Sequence, residues 1–200
     1  MIAVLDYQAG NATSVQGALR QLGVDSTITA DPTVVASAER VIFPGVGAAG
    51  ACMANLRSSG VDRALAQAVA AGKPVLCVCV GLQLLFEHSE EDGGVACLGL
   101  LPGRVVRFRP TSAAIKVPHM GWNEVDFRAA EPLARALPDR HFYFVHSYYA
   151  QPGPGVEVIA ETVHGQRFCA GVRRGNLAAV QFHPEKSGAA GLALLRNFLS

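Results

Sequence analysis

Charge is scarce in this sequence. Asp, Glu, Lys and Arg make up only 16% of its 200 residues, and the formal net charge is +1. That balance gives no footprint for nucleic acid, which needs a basic face or stripe. Arg104, Arg107 and Arg109, like Arg173 and Arg174, read as solvated surface. No uninterrupted apolar run is long enough to span a bilayer, so no membrane segment is expected. The opening residues, MIAVLDYQAGN, lack a charged n-region and a small-residue cleavage site, so no signal peptide is expected. There is no internal repeat, low-complexity tract or linker, and one domain over residues 1–200 is expected. Cysteine is present without forming a framework. Cys52, Cys77, Cys79, Cys97 and Cys169 are odd in number and scattered, which points away from a disulfide scaffold and towards a reducing cytoplasm. What the chain has in quantity is apolar side chains, 50% of residues, enough for the core of a globular protein.

In the first half, short apolar runs alternate with helical patterns. IAVLDY reads as a strand. Asn11, Thr13 and Ser14 then offer helix caps before Val15, Ala18, Leu19 and Leu22, with Gly23 as the stop. VDSTITA and RVIFPGVG read as strands, VDRALAQAVAAG as a helix stopped at Gly72, PVLCVCV as a strand, and GLQLLFEH as the start of another helix. Apolar strands alternating with helices predict a parallel sheet covered on both faces. After Gly93 the texture changes: VVRF, NEVDF, HFYFVHSYYA, VEVIAETV, RFCAGVRR and LAAVQF read as strands joined by turns, and AAGLALLRNFL closes the chain as a helix. The fold class is therefore α/β, a three-layer sandwich with a mostly parallel central sheet and a mixed, antiparallel C-terminal portion.

Cys79-Val80-Gly81 sits where a strand turns into a helix, the layout of a nucleophile elbow. Such a turn lifts the side chain clear of the sheet, and free N–H groups at the helix start favour a thiolate and an oxyanion. From this stretch alone, reactivity and core packing both stay open for Cys79, whereas Cys77, inside the strand, reads as core. A metal pair is not expected, because further ligands are missing nearby. Near the C-terminus, QFHPEKS places His183 before a proline, which favours extended backbone and would set His183 and Glu185 on one side. Nucleophile, base and orienting carboxylate would make a triad. A strand-end histidine beside an exposed glutamate is the plainer alternative. The glycine loop FPGVGAAG can aim N–H groups at an oxyanion, or be a simple tight turn.

Taken in order, LDYQAGN, FPGVGAAG, CVCVGLQLLFEHSEE, VPHMGWN, FYFVHSYY and QFHPEKS resemble the class I, triad-type glutamine amidotransferases over nearly the whole chain. Within them, HMGWN, FVHSYY and Lys186-Ser187 resemble the glutaminase subunits of imidazole glycerol phosphate synthase. The resemblance implies Cys79 as nucleophile, His183 as base and acid, and Glu185 as its orienter. It implies oxyanion-hole N–H groups from Val80 and the Val46-Gly47 peptide, and contacts to substrate L-glutamine from Gln83, His146 and Tyr143. It implies a partner-facing side with His119, Met120, Trp122, Asn123 and Lys186, the partner being a (β/α)8-barrel cyclase in a heterodimer that receives ammonia. No metal or organic cofactor is implied.

Two positions depart from the family pattern. Cys77 stands where the elbow's first glycine is expected, adding a side chain under the turn, and YQAGN replaces a more glycine-rich loop. Another triad amidotransferase or cysteine hydrolase, and a catalytically silent binding subunit, are the competing readings.

Overall fold

Three of the apolar runs, β1 (Ile2–Leu5), β3 (Arg40–Gly45) and β4 (Val75–Cys79), lie parallel and adjacent in the computed structural model, which describes residues 1–8 and 11–200. β1 and β4 are buried along their whole length, as strands covered on both faces must be. β2 (Ser26–Thr29) pairs with β1, and β14 (Leu177–Val180) pairs with β4, giving five parallel strands in the order β2-β1-β3-β4-β14. Of the YQAGN loop, Ala9 and Gly10 lie outside the described residues.

The helices of this half are α1 (Ala12–Gln21), α2 (Pro32–Ser37), α3 (Ala49–Ser59) and α4 (Val61–Ala70). α2 and α3 go beyond the sequence expectation. α2 carries a local signal: Asp31 accepts a 2.8 Å hydrogen bond from the Thr33 amide, and Pro32 occupies the first turn. α3 carries none, because its first residues are alanine and glycine. Its leading N–H groups, on Ala49 and Gly50, donate instead to Glu91 (2.8 Å) and Asp92 (3.0 Å). Asn11 precedes α1 without capping it through its side chain, which is used elsewhere.

Beyond β4 a one-turn helix, α5 (Val80–Gln83), replaces the longer helix expected over GLQLLFEH. The reason lies in the next turn of chain. Leu84, Leu85 and Phe86 are all fully buried, and their carbonyls accept from the amides of Leu98, Leu101 and Gly99 rather than from a continuing helix. The strands that follow are β5 (His88–Ser89), β6 (Val95–Ala96), β7 (Gly103–Arg107), β8 (His119–Glu124), β9 (Asp126–Phe127), β10 (His141–His146), β11 (Tyr148–Pro152), β12 (Glu157–Val163) and β13 (Arg167–Arg174). β13 joins the halves: it runs antiparallel to β14, β11 and β12, and β11 passes the sheet on to β7, β5 and β6.

HFYFVHSYYA, expected as one strand, divides at Ser147. Its first part, β10, pairs with β8 in a separate two-stranded sheet, and its second part, β11, enters the main sheet. The Ser147 carbonyl accepts from Phe108 at 3.0 Å where the chain changes sheets. NEVDF likewise breaks at Val125, between β8 and β9. Helix α6 (Gly188–Leu199) ends the chain with Ala190, Leu194, Leu195 and Phe198 buried. Among the described residues no helix is long and apolar enough to cross a membrane.

Candidate active site

The carboxyl ends of β3, β4 and β14 bring the sequence candidates together. At the end of β4 the backbone of Cys79 takes φ 57° and ψ −113°, a conformation costly for a residue with a side chain and typical of a functional turn. Two glycines allow it. A methyl placed on Gly81 would lie 2.4 Å from the Phe43 carbonyl oxygen, and one on Gly45 would lie 2.7 Å from the Gly81 amide nitrogen. β3 and α5 thus meet backbone to backbone beneath Cys79. Cys77, in register between Phe43 and Ala179, is fully buried, and burial pushes its thiol pKa far up.

His183 reaches the elbow from the other side. Its backbone is extended, as the following proline requires, and its amide donates to the Tyr143 carbonyl at 2.9 Å. Its Nδ1 lies 2.7 Å from Glu185 Oε1, with both side chains buried. The contact forms within a 3-10 turn, Pro184–Lys186, rather than along the extended segment expected from the sequence. Asn11 Nδ2 donates to the same Glu185 oxygen at 2.5 Å, and the Ser187 hydroxyl donates to the His183 carbonyl at 2.6 Å while accepting from the Tyr143 amide at 3.0 Å. His183 Nε2 makes no hydrogen bond of normal geometry among the described residues, and the Cys79 sulfur is its electrostatic neighbour. Burial acts to lower the His183 pKa, but the Cys79 sulfur and the Glu185 carboxylate outweigh it and hold the pKa up at about 9.

A cavity of about 290 Å³ opens over these groups. Cys79, His183, Val46, Gly47, Val80, Gln83 and His146 all border it. Tyr143 does not: its ring sits between Trp122 and His183, with centroids 6.3 and 6.5 Å away. The Val46 carbonyl accepts from the Cys52 thiol at 3.5 Å, and Cys52 does not border the cavity. Gln83 is buried, and its Nε2 donates to the Tyr148 carbonyl (2.9 Å) and to Gln181 Oε1 (3.0 Å), leaving its own oxygen for a ligand. Glu91, Pro118, Val145, Ser147 and Tyr148 complete the wall. Among the described residues no group of three or more His, Cys, Asp or Glu side chains is gathered to hold a metal.

The five residues read as partner-facing do not share one environment. Along β8, Met120 and Trp122 are 63% and 57% exposed, while His119 is buried and Asn123 half-buried on the opposite face. Lys186 is exposed beside the His183–Glu185 turn.

A comparison with known families decides the lineage. The family model of the class-I glutamine amidotransferases matches residues 3–200. The chain belongs to that family. Among curated relatives, this amidotransferase is 52% identical over 204 residues to the imidazole glycerol phosphate synthase subunit HisH of Nitratidesulfovibrio vulgaris strain Miyazaki F, covering 99% of this chain and 95% of that protein. It is 49% identical to the subunit of the same name from Aromatoleum aromaticum, covering 100% of this chain and 97% of that one. The crystal structure of a glutamine amidotransferase superposes with TM-score 0.76 at 22% identity, covering 99% of this chain and 96% of that one. PurLQS from Thermotoga maritima gives the same TM-score at 20% identity, again covering 99% and 96%. At such identities the two structures speak for the fold alone.

Four residues were not assigned to the candidate site from the sequence. Asn11 and Ser187 secure the His183 turn, Gln181 donates towards the Cys79 sulfur at 3.8 Å, and Glu91 both caps α3 and borders the cavity. Asn11 was legible only as a helix cap, and Ser187 only as part of Lys186-Ser187.

Cys77→Gly is expected to keep glutaminase turnover at or above the wild-type level. Because among the described residues the buried thiol makes no polar contact to lose, its cost falls on stability, about 1 kcal/mol or more for a glycine inside a strand. Thermal melting and glutamine turnover measure the two effects separately. A folded but inactive Cys77→Gly protein would show that the wrong thiol has been chosen.

Proposed function

We propose that this amidotransferase is the glutaminase subunit of an imidazole glycerol phosphate synthase, acting in histidine biosynthesis in the cytoplasm as a single amidotransferase domain. The observation that carries the reading is the placement of Cys79, at a strained elbow, over one cavity with a His183 whose Nδ1 is held 2.7 Å from Glu185. The names of relatives about half identical over the whole chain support it. A cavity of about 290 Å³ suits a small amino acid.

In this reading the Cys79 sulfur attacks the side-chain amide carbon of L-glutamine. His183, charged at neutral pH with a pKa of about 9, gives its proton to the departing ammonia. Val80 and the Val46-Gly47 peptide supply N–H groups to the oxyanion, and Gln83 and His146 hold the substrate from the wall. Water, activated by His183, then hydrolyses the thioester to glutamate. Glu185 keeps the imidazole oriented, and Asn11 keeps Glu185 in place. The ammonia passes, shielded from solvent, to a (β/α)8-barrel cyclase docked against Met120, Trp122 and Lys186, and the heterodimer as a whole performs the lyase reaction. Tyr143 acts from behind His183, through its backbone. The chemistry needs no metal or organic cofactor.

The deciding experiment is glutamine hydrolysis with and without a barrel cyclase carrying its nucleotide ligand. The isolated chain is expected to be slow and the complex at least tenfold faster. The Val46 carbonyl lies on Cys52, and Gly47, at φ 110°, frees the peptide to turn over; a bias of about 1.4 kcal/mol between two such orientations changes a population ratio tenfold. Full activity from the chain alone, unchanged by the cyclase, would remove the coupling. Absence of hydrolysis in both would favour a silent binding subunit.

A further inference from the structure

The inner face of β8 begins a chain of hydrogen bonds whose direction can be worked out atom by atom. His146 Nδ1 lies 2.7 Å from the Tyr148 carbonyl, which can only accept, so Nδ1 carries the hydrogen. His146 is almost wholly buried, and desolvation lowers its pKa to about 3, so its Nε2 bears a lone pair. His119 Nδ1, 3.0 Å from that nitrogen, must therefore donate. His119 is neutral for the same reason, its pKa lowered to about 4 by burial first and by His164 second. Its Nε2 then accepts from Asn123 Nδ2 at 3.2 Å, and the other Asn123 hydrogen goes to the Val163 carbonyl at 2.9 Å. At the far end the Tyr148 carbonyl also holds Gln83, which holds Gln181, which donates to the Cys79 sulfur.

We infer that His119 is a positioning residue for the glutaminase site. Its Nδ1–H fixes the His146 ring, which through the Tyr148 carbonyl keeps Gln83 and Gln181 in place beside Cys79. The role rests on the glutaminase reading only for its effect on glutamine. A purely structural part is the rival explanation, because His119 also stacks on Phe144 and His164, with centroids 4.7 and 4.2 Å away.

Two substitutions separate these roles. His119→Asn keeps a donor where Nδ1 stood and loses the aromatic stack. His119→Phe keeps the stack and loses the donor. In the complex with the cyclase, His119→Phe is expected to raise the KM for glutamine about tenfold, the scale of one lost buried hydrogen bond, and His119→Asn to stay within about twofold. Alkylation of Cys79 by iodoacetamide, located by mass spectrometry, should slow about threefold in His119→Phe alone, because thiolate reactivity follows its donors. Two-dimensional nitrogen NMR of the wild-type imidazoles should report Nδ1–H tautomers for both His119 and His146. A His146 with its hydrogen on Nε2, or a His119→Phe protein with unchanged KM and alkylation, would overturn the inference. So would His119→Asn impaired as badly as His119→Phe. Tautomers and alkylation need no turnover, so a complex without glutaminase activity would count against the functional reading and leave His119 judged by those two measurements.

Discussion

Cys79→Ala is expected to abolish glutamine-dependent synthesis by the complex while synthesis from ammonium salt continues at high pH, where free ammonia is abundant. The elbow should survive the change. Alanine keeps the Cβ, so it carries the same backbone strain at φ 57° that cysteine does, and it buries no new polar atom. What is lost is the sulfur, and with it one long 3.8 Å contact from Gln181 and the charge that helps hold the His183 pKa up. The other cysteines cannot substitute. Cys77 is fully buried inside β4, and Cys52 lies behind the glycine loop with its pKa pushed up to about 11, chiefly by burial. Glutamine turnover should fall by about four orders of magnitude or more. His183→Ala should fall comparably, and Glu185→Ala should be about two orders of magnitude less severe, because the proposed base His183 remains and only its orientation suffers. Cyclase product formed from glutamine, divided by product formed from ammonia, measures each variant. Appreciable glutamine-dependent product from Cys79→Ala would overturn the nucleophile assignment and the mechanism with it.

The parts of this molecule that were legible in its sequence are those governed by neighbours along the chain. β1 and β4 announce themselves as apolar runs because both faces of each are buried, and α1 and α4 end beside Gly23 and Gly72, both at positive φ. The elbow is legible because the positive φ at Cys79 and the tight approach at Gly81 sit within three residues. What was not legible depends on partners far away. α3 has no cap of its own and borrows Glu91 and Asp92 from beyond the elbow. α5 stops after one turn because residues 98–101 take the carbonyls that a longer helix would use. The division of HFYFVHSYYA at Ser147 follows from which strand lies beside each half, β8 or β7. In the site, Asn11 is a competent helix cap by any local rule, yet its side chain serves Glu185, 174 residues on. Local rules place the reactive groups and leave out the residues that hold them.

Gly191→Ala is expected to damage the site although it lies in the middle of a helix, where alanine is normally the better residue by about 1 kcal/mol. Gly191 is the fourth residue of α6, six residues past Glu185, and its amide donates to the Ser187 carbonyl at 3.1 Å. A methyl placed there would lie 1.8 Å from the Pro184 carbonyl oxygen and 2.7 Å from the Pro184 carbonyl carbon. Those are backbone atoms, without the freedom of a side-chain tip. Either α6 or the 3-10 turn must shift, and the turn is the piece that sets His183 against Glu185. A displacement of about 1 Å at a reacting group costs on the order of a hundredfold in rate, and glutamine turnover should fall by that scale. Ammonia-dependent synthesis by the proposed complex should be spared, because that reading assigns it to the partner cyclase. Gly17→Ala in α1 is the matched control. It is also a helical glycine, but among the described residues nothing lies within 4 Å of the added methyl, so it should raise stability by about 0.5–1 kcal/mol and leave turnover unchanged. The two variants are compared by thermal melting and glutamine turnover. A Gly191→Ala protein that melts higher than wild type and turns glutamine over at the wild-type rate would show that α6 and the His183–Glu185 turn can part without consequence, and that the close contact at Pro184 does not hold His183 in place.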